Sequence, residues 1–252
     1  MTYCVAISIK SGMVFCSDSR TNAGADQAST YSKMFRFELG PERQYVVLSA
    51  GNLATTQATM HQMKKDIKTN APVSLNTVEN ISEAADYLGD VSRMQQEKHG
   101  TSGPTFEASF LLGGQIMGNP HQIMLIYPEG NHITTPKDTP YLQIGESKYG
   151  KPILDRIINP DTSMETAALC ALVSMDSTMR SNVTVGPPIE IMLYHTDSYV
   201  LQPYHRFDED SEFLRELKRA WDKRLKEAFH QLPPLTWASN WDNNADSSRS
   251  NY

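Results

Sequence analysis

Thr2 follows the first methionine of this 252-residue sequence, and a threonine at that place can become a nucleophile. Threonine is small enough to permit cleavage by methionine aminopeptidase, so we expect Met1 to be removed and Thr2 to carry a free α-amine. An α-amine has a pKa of about 8 and is therefore partly neutral near neutral pH. Such an amine can take the proton from the threonine hydroxyl while Oγ attacks a carbonyl carbon.

Asp18 and Lys33 are the two side chains that we expect to tune this amine. A nearby lysine ammonium lowers an amine pKa by like-charge repulsion, and a carboxylate keeps that ammonium charged. If Lys10-Ser11-Gly12 forms a three-residue turn, Thr2 and Asp18 share one face of a hairpin, about 7–8 Å apart. A two-residue Ser11-Gly12 turn would instead place Asp18 on the opposite face, and we favour the first turn.

The elements that must position these residues are predicted from the hydrophobic pattern. Apolar and β-branched runs predict strands at residues 3–9, 13–19, 33–39, 44–50, 106–116, 122–127, 141–144, 189–194 and 199–203. Helical spacing begins after Gly51, after Asn76-Thr77, after Asp161 and near Ser211. This alternation of strand pairs and helices predicts two antiparallel sheets between helical layers.

The segment from Gly145 to Pro152 nearly matches a phosphate-binding loop. Pro152 stands where that motif needs a serine or threonine, whose hydroxyl binds magnesium and whose backbone N–H is free. The sequence therefore argues against a nucleotide site, and we interpret the segment as a basic loop.

The composition is that of an ordinary globular protein and excludes several kinds of partner. Hydrophobic residues make up 39% and charged residues 21% of the chain. The formal charge of −6 argues against a nucleic-acid-binding surface, which needs an excess of basic residues. No apolar run approaches the roughly 20 residues that cross a bilayer, and the N-terminus lacks a secretory signal. We therefore expect a cytoplasmic protein with no membrane partner.

Cysteines and histidines are the residues most often used to bind transition metals. The three cysteines, Cys4, Cys16 and Cys170, have no metal-ligand spacing. The seven histidines form no His-x-x-x-His pair and no cluster with cysteine. We expect no metal site.

Four short segments together resemble the pattern of proteasome β-subunits. They are Thr2 behind Met1, the strand end Ser17-Asp18-Ser19-Arg20, Lys33 at the start of a strand, and Ser49-Ala50-Gly51 before a helix. The start Met-Thr-Tyr-Cys-Val-Ala, with no propeptide expected before it, is most similar to the bacterial proteasome-related Anbu family, the ancestral β-subunit. The resemblance extends over residues 1–205 in the order of the elements.

This resemblance implies an α+β fold, the four-layer αββα sandwich of two antiparallel sheets found in N-terminal-nucleophile hydrolases. It implies a threonine-type endopeptidase that forms a self-compartmentalising homo-oligomer, a ring or an open ring, and cleaves peptides or unfolded proteins without a cofactor. One domain is expected over residues 1–232, followed by a polar, flexible tail over residues 233–252. The resemblance leaves open whether an ATP-dependent unfoldase is a partner.

The resemblance also implies roles for single residues. Thr2 would be the nucleophile with its own amine as base, and Asp18 would hold Lys33 beside it. The backbone N–H of Gly51 would stabilise the oxyanion. A further catalytic serine is matched by Ser147, and the pocket for the substrate side chain by Thr21, Tyr31 and Ser49.

One part of the family pattern is changed in this sequence. Proteasome subunits carry an aspartate and, three residues later, a serine that support the threonine amine. The corresponding residues here are Asn182 and Val185. We include Asn182 among the catalytic residues, and we expect it to support the Thr2 amine less well than the family's aspartate does.

Two other functions stay open from the sequence. An N-terminal-nucleophile amidase acting on small molecules would use the same threonine in a closed pocket, whereas a peptidase needs an open groove. A non-catalytic ring scaffold would follow if Met1 is retained, because an acylated threonine nitrogen cannot act as a base. The apolar stripe of the last helix, from Phe213 to Phe229, is either core or a subunit contact, and we favour the contact.

Overall fold

Two five-stranded antiparallel sheets stacked face to face carry the predicted site. The structure is a computed structural model that describes residues 1–22, 28–98 and 106–234. The chain divides into two units, Met1–Ser211 and a second that begins at Glu212. The strands are β1 (Tyr3–Ile9), β2 (Gly12–Asp18), β3 (Arg20–Asn22), β4 (Ala28–Thr30), β5 (Met34–Glu38), β6 (Arg43–Gly51), β7 (Ala108–Ile116), β8 (Gln122–Ile126), β9 (His132–Thr134), β10 (Tyr141–Gly145), β11 (Ile189–His195) and β12 (Tyr204–Phe207).

The helices of the first unit form two pairs, one on the outer face of each sheet. They are α1 (Leu53–Lys68), α2 (Ile81–Glu97), α3 (Ser147–Ile157) and α4 (Met164–Ser181). The first sheet has the order β10-β1-β2-β11-β12, and the second has the order β5-β6-β7-β8-β9. Because α3 and α4 pack on the first sheet and α1 and α2 on the second, the layers are αββα. The predicted fold class is confirmed.

Buried apolar side chains lie between the layers of this sandwich. Cys4, Phe15, Leu48 and Leu111 belong to the layer between the two sheets. The layer between the second sheet and its helices contains residues such as Leu88. Strands β1 and β2 are buried along both faces, as expected for a sheet covered on each side.

The turn between β1 and β2 differs from the prediction. Ile9 pairs with Gly12, so the turn residues are Lys10 and Ser11, and the register is shifted by one residue from the favoured one. Gly12 lies inside the strand with a φ of +148°, and a Cβ there would stand 1.9 Å from the carbonyl oxygen of Tyr194. The glycine therefore permits close contact with β11, and it does not form the turn that the sequence suggested.

Helix α2 begins later than predicted. Its N-cap is Asn80, whose side chain accepts a hydrogen bond from the backbone N–H of Glu83. The carboxylate of Glu83 in turn accepts from the N–H of Glu79. The predicted cap, Asn76-Thr77, instead lies in a turn in which the Thr77 hydroxyl bonds with Ser74. Two possible caps four residues apart cannot be ranked by sequence alone.

The predicted basic loop after β10 is wrong, since residues Ser147–Ile157 form helix α3 with Pro152 inside it. Gly150 and Pro152 both disfavour a helix, which hid this element in the sequence. Packing overrides that preference, because a Cβ at Gly150 would stand 2.4 Å from the hydroxyl of Tyr3 and Leu154 is fully buried.

The last strand of the first sheet also lies outside its predicted range of 199–203. Strand β12 pairs with β11 from Tyr204 onward, opposite Met192. In the segment between the two strands, Asp197 and Tyr199 have positive φ values of 60° and 51°, which a regular strand does not contain.

The second unit contains the predicted last helix, α5 (Glu212–His230). None of its residues is buried, and its apolar stripe includes the exposed side chains of Phe213, Leu225 and Phe229. The domain boundary expected at residue 232 stays a prediction, and residues 235–252 of the expected tail lie outside the described residues. Within the described ranges, no helix combines the length and apolar character that crossing a membrane requires.

Candidate active site

Asp18 and Lys33 come together at the ends of two strands that belong to different sheets. Asp18 is the last residue of β2, and Lys33 directly precedes β5. The Lys33 Nζ lies 2.7 Å from Oδ1 of Asp18, and it also donates to the carbonyl oxygen of Arg20 at 2.7 Å. The two side chains are 9% and 0% exposed, so this is a buried ion pair.

Asp18 is held by backbone donors as well as by the lysine. Its Oδ1 accepts a hydrogen bond from the N–H of Tyr3 at 3.1 Å, and its Oδ2 accepts from the N–H of Gly186 at 3.4 Å. Burial raises the pKa of Asp18, and the Lys33 ammonium and these N–H groups offset part of that rise. The carboxylate is therefore fixed in place and sits behind the ammonium, away from solvent.

Thr2 lies beside this pair, although strict alternation in the observed register would place it and Asp18 on opposite faces of the sheet. The two residues lie at strand ends, where strand pairing no longer fixes the direction of both side chains. Lys33 connects them. Its ammonium contacts Asp18, and its side chain lines the same cavity as Thr2.

The backbone of Thr2 is fixed by the segment that follows β10. Its carbonyl oxygen accepts a hydrogen bond from the N–H of Glu146 at 2.8 Å. Gly145 has a φ of +80°, and a Cβ there would stand 2.0 Å from the same Thr2 oxygen. A larger residue at position 145 would push Thr2 out of place, so this glycine is part of the site's construction.

The cavity around Thr2 has a volume of about 280 Å³. Its lining includes two cationic residues and several hydroxyl groups but no carboxylate side chain. The lining residues are Met1, Thr2, Arg20, Thr21, Ser32, Lys33, Ser49, Ala50, Gly51, Leu53, Thr56 and Gly145. This environment favours negative charge that develops on a reacting group.

Gly51 offers a backbone donor to this cavity. The N–H of Ser49 donates to the carbonyl oxygen of Lys33, and alternate N–H groups of a strand point to the same side. The N–H of Gly51 therefore points past the start of β5, while the next N–H, that of Asn52, points the other way to Glu107. Asn52 also caps α1, whose positive end lies here with no acidic residue in its first turn.

A second cavity, of about 570 Å³, adjoins the first. The two share Ala50, Gly51 and Gly145 in their linings. The second cavity continues between the edges of the two sheets and includes Glu107 and Tyr127. An elongated molecule could therefore extend across both cavities with its middle beside Thr2.

Four of the residues expected at the site do not line the first cavity, and one of them, Asp18, reaches it only through its contact with Lys33. Tyr31 is 42% exposed. Ser147 begins α3, and its carbonyl oxygen accepts from the side chain of Gln143. Asn182 ends α4, and its Oδ1 accepts from the backbone and hydroxyl of Thr184. By contrast, Thr21 and Ser49 line the cavity as expected.

The thiol nearest to the site is unsuited to act as a nucleophile. Cys4 is fully buried, and its Sγ lies 3.6 Å from the carbonyl oxygen of Ser49. Burial raises the pKa of the Cys4 thiol well above its ordinary value. A thiol with so high a pKa is not ionised at neutral pH and does not compete with the Thr2 hydroxyl.

Sequence reasoning missed two residues that shape the site. Gly145 was interpreted as part of a loop, and its positive φ could not be seen in the sequence. Glu190 lies between two isoleucines of β11 and resembles the outward residue of an alternating strand, yet it is 4% exposed. Within the described residues, no group of His, Cys, Asp and Glu side chains could hold a metal ion.

Comparison with known proteins shows the family of this chain. The model for the family described as "Proteasome subunit" matches residues 2–193. Among curated proteins no match is found. The chain is similar to solved structures of Anbu proteins from three bacteria.

Anbu (ancestral beta-subunit) from Yersinia bercovieri is 44% identical over 93% of this chain and 98% of its own, with a TM-score of 0.88. The helical assembly of the Anbu complex from Pseudomonas aeruginosa is 42% identical over 94% of this chain and 100% of its own, with a TM-score of 0.89. A Gly-1 mutant of Anbu from Hyphomicrobium sp. strain MC1 is 40% identical over 93% of this chain and 99% of its own, with a TM-score of 0.88. The chain therefore belongs to the proteasome subunit family and, within it, to the Anbu group.

Proposed function

We propose that this chain is a threonine-type endopeptidase subunit that cleaves peptide bonds through an acyl-enzyme on Thr2. The observation that carries the proposal is the shared cavity, in which Thr2, Lys33 and the backbone of Gly51 meet while buried Asp18 holds the lysine. These are the parts that an N-terminal nucleophile needs: a hydroxyl, a tuned base and an oxyanion donor.

Removal of Met1 is the first step of the proposed mechanism. Met1 is 66% exposed, so its peptide bond is accessible to an aminopeptidase. Cleavage converts the amide nitrogen of Thr2 into an α-amine beside the Lys33 ammonium. Like-charge repulsion then favours the neutral amine, which is the form that can accept a proton.

In the acylation step, the Thr2 amine takes the hydroxyl proton while Oγ forms a bond to the substrate carbonyl carbon. The carbonyl oxygen gains negative charge, and the N–H of Gly51 together with the positive end of α1 stabilises it. The amine then returns its proton to the departing nitrogen, so the C–N bond breaks and an ester on Oγ remains.

In the second half, water replaces the departed amine. The free Thr2 amine takes a proton from a water molecule while the water oxygen attacks the ester carbon. The amine then returns that proton to Oγ as the ester bond breaks. Threonine is restored, and the second product leaves as a carboxylic acid. No step needs a cofactor.

The two adjoining cavities support a peptide as the substrate. The residue before the scissile bond would occupy the first cavity, near Thr21 and Ser49, and the following residues would extend into the second cavity. Both cavities are open to solvent along the sheet edges, which suits an extended chain better than a small enclosed amide.

We also propose that the chain acts as a homo-oligomer. The support is the relative from Pseudomonas aeruginosa, whose structure is described as a helical assembly of the Anbu complex. Burial of the cavities inside such an assembly would restrict the substrates to peptides and unfolded chains. Negative-stain electron microscopy of the purified protein tests this, and uniformly monomeric particles would contradict it.

Hydrolysis of a mixed library of fluorogenic peptides tests the catalytic proposal. The wild-type protein, with Met1 removed, should release fluorophore, Thr2→Ser should retain measurable activity, and Thr2→Ala should lose it while folding normally. Equal activity of Thr2→Ala would contradict the proposal. Turnover of small amides but of no peptide would favour the amidase, and full retention of Met1 would favour the scaffold.

A further inference from the structure

Glu190 is a second buried carboxylate near the site that the proposed mechanism does not use. It lies on β11, next to Ile189, which pairs with Asp18. Only 4% of Glu190 is exposed. No residue in the described part of the chain forms an ion pair with it. Burying an unpaired carboxylate is costly, so its hydrogen bonds show what it stabilises.

The two oxygens of Glu190 bind different parts of the molecule. Oε2 accepts from the hydroxyl of Ser32 at 2.7 Å and from the hydroxyl of Ser19 at 3.1 Å. Oε1 accepts from the hydroxyl of Tyr204 on the neighbouring strand at 2.7 Å. One oxygen therefore joins two loop segments, and the other is bound only to the edge of the first sheet.

The two serines are the chain neighbours of the buried ion pair. Ser19 directly follows Asp18, and Ser32 directly precedes Lys33. The single hydrogen of the Ser32 hydroxyl has two acceptors within reach, Oε2 of Glu190 at 2.7 Å and the carbonyl oxygen of Met34 at 3.0 Å, and the carboxylate is the nearer and charged one. The Ser32 hydroxyl also accepts from the N–H of Met34, the residue after Lys33. Oε2 of Glu190 thus connects the backbone that carries the carboxylate with the backbone that carries the ammonium.

We propose that Glu190 is a positioning residue that sets the Asp18–Lys33 pair beside Thr2 by holding Ser19 and Ser32 together. The inference rests on the proposed function for its effect on catalysis. Its geometric part, the separation of Lys33 from Asp18, does not depend on that function. The role needs a hydrogen-bond acceptor at this position and does not need a negative charge.

Labelling of Thr2 by a peptide epoxyketone measures the catalytic part. Ser19→Ala and Ser32→Ala should each lower the maximal labelling rate about tenfold, because the reacting groups are misplaced. For Ser19→Ala, which changes no residue that lines the first cavity, the concentration for half-maximal rate should stay the same. Glu190→Ala should lower the labelling rate as much as the two serine changes combined. Introducing the serine changes into the Glu190→Ala variant should have no further effect. Glu190→Gln, which keeps an acceptor oxygen, should restore most of the rate.

Tyr204→Phe is the matched control. It removes a hydrogen bond to the same carboxylate, but from the oxygen that does not contact the serines, and it keeps the ring that Arg36 packs over at 4.3 Å. Its labelling rate should stay within about twofold of wild type. If Tyr204→Phe lowers the rate as much as Ser32→Ala, Glu190 is merely structural and the proposal is overturned.

Crystal structures of wild type and Glu190→Ala separate this proposal from the proposed function. We expect the Lys33–Asp18 contact to lengthen beyond the 4.0 Å limit of an ion pair in the variant, whether or not the protein labels at Thr2. An unchanged contact would overturn the proposal. A lengthened contact in a protein that is never labelled would support the positioning role and count against the peptidase.

Discussion

The Lys33 ammonium donates to Oδ1 of Asp18 and to the carbonyl oxygen of Arg20, both at 2.7 Å. An ammonium has three N–H donors, so these contacts leave one. Among the described residues, no protein acceptor takes this third donor, and the side chain lines the cavity of Thr2. The lysine is therefore held in place, with one N–H donor available on the side where the nucleophile lies.

Replacing Lys33 tests the tuning of the amine. Lys33→Ala should lower the rate of epoxyketone labelling at Thr2 by about a hundredfold or more, because the amine loses the cation that favours its neutral form. Lys148→Ala is the control, since Lys148 is an exposed residue of α3 and should label at the wild-type rate. Loss of labelling in the Lys148 variant with retention in the Lys33 variant would contradict the proposed site.

Replacing Asp18 tests how its buried carboxylate affects the free energy of unfolding. Burial raises the pKa of Asp18 in the folded state above its ordinary value of 3.8, so the folded state holds this proton more tightly than the unfolded chain does. The contribution of Asp18 to the free energy of unfolding is therefore largest below that value and falls as the pH rises through the raised pKa. Asp18→Asn lacks this dependence on pH, and it should lose labelling because Lys33 loses its anionic partner.

Urea unfolding of wild type and Asp18→Asn at several pH values measures this difference. The stability of wild type relative to the variant should fall by about 1.4 kcal/mol for each unit by which the Asp18 pKa is raised. A relative stability that instead increases with pH would mean a lowered pKa, and the assignment of burial as the dominant influence would be wrong.

Adding a methyl group at Gly51 tests the oxyanion donor. Gly51 has a φ of +109°, and a Cβ would stand 2.4 Å from the carbonyl oxygen of Glu107. Gly51→Ala should shift the strand end and lower the labelling rate about a hundredfold. Gly118→Ala controls for backbone strain, because Gly118 also has a positive φ but has no atom within 4 Å of the added carbon.

Stability measurements keep these two effects apart. Gly118→Ala should lose about 1–2 kcal/mol from the free energy of unfolding and keep the wild-type labelling rate. If both glycine variants lose labelling in proportion to their loss of stability, Gly51 has no special part in catalysis.

Much of the fold could be predicted because its elements have strong local signals. Helical spacing was expected to begin after Gly51, and α1 begins at Leu53. The approach of Lys33 to Asp18 was expected from the resemblance, and the structure shows the contact. Hydrophobic spacing predicts the helix because it depends on residues near in sequence, whereas the expected contact between Asp18 and Lys33 came from the family pattern.

The remaining features depend on contacts between distant segments. The register of β1 and β2 is set by the packing of Gly12 on Tyr194, and α3 forms despite Pro152 because Gly150 fits against Tyr3. No local pattern encodes either contact. In the same way, a glutamate between two isoleucines gave no sign that it would be buried.

The most direct test of the central claim is the intact mass of the protein before and after treatment with a peptide epoxyketone. This reagent closes a ring with both the hydroxyl and the α-amine of an N-terminal threonine, so it reports the two groups together. We predict loss of Met1 and one adduct that maps to Thr2 and is absent from Thr2→Ala. Retention of Met1, or an adduct that persists in Thr2→Ala, would contradict the account.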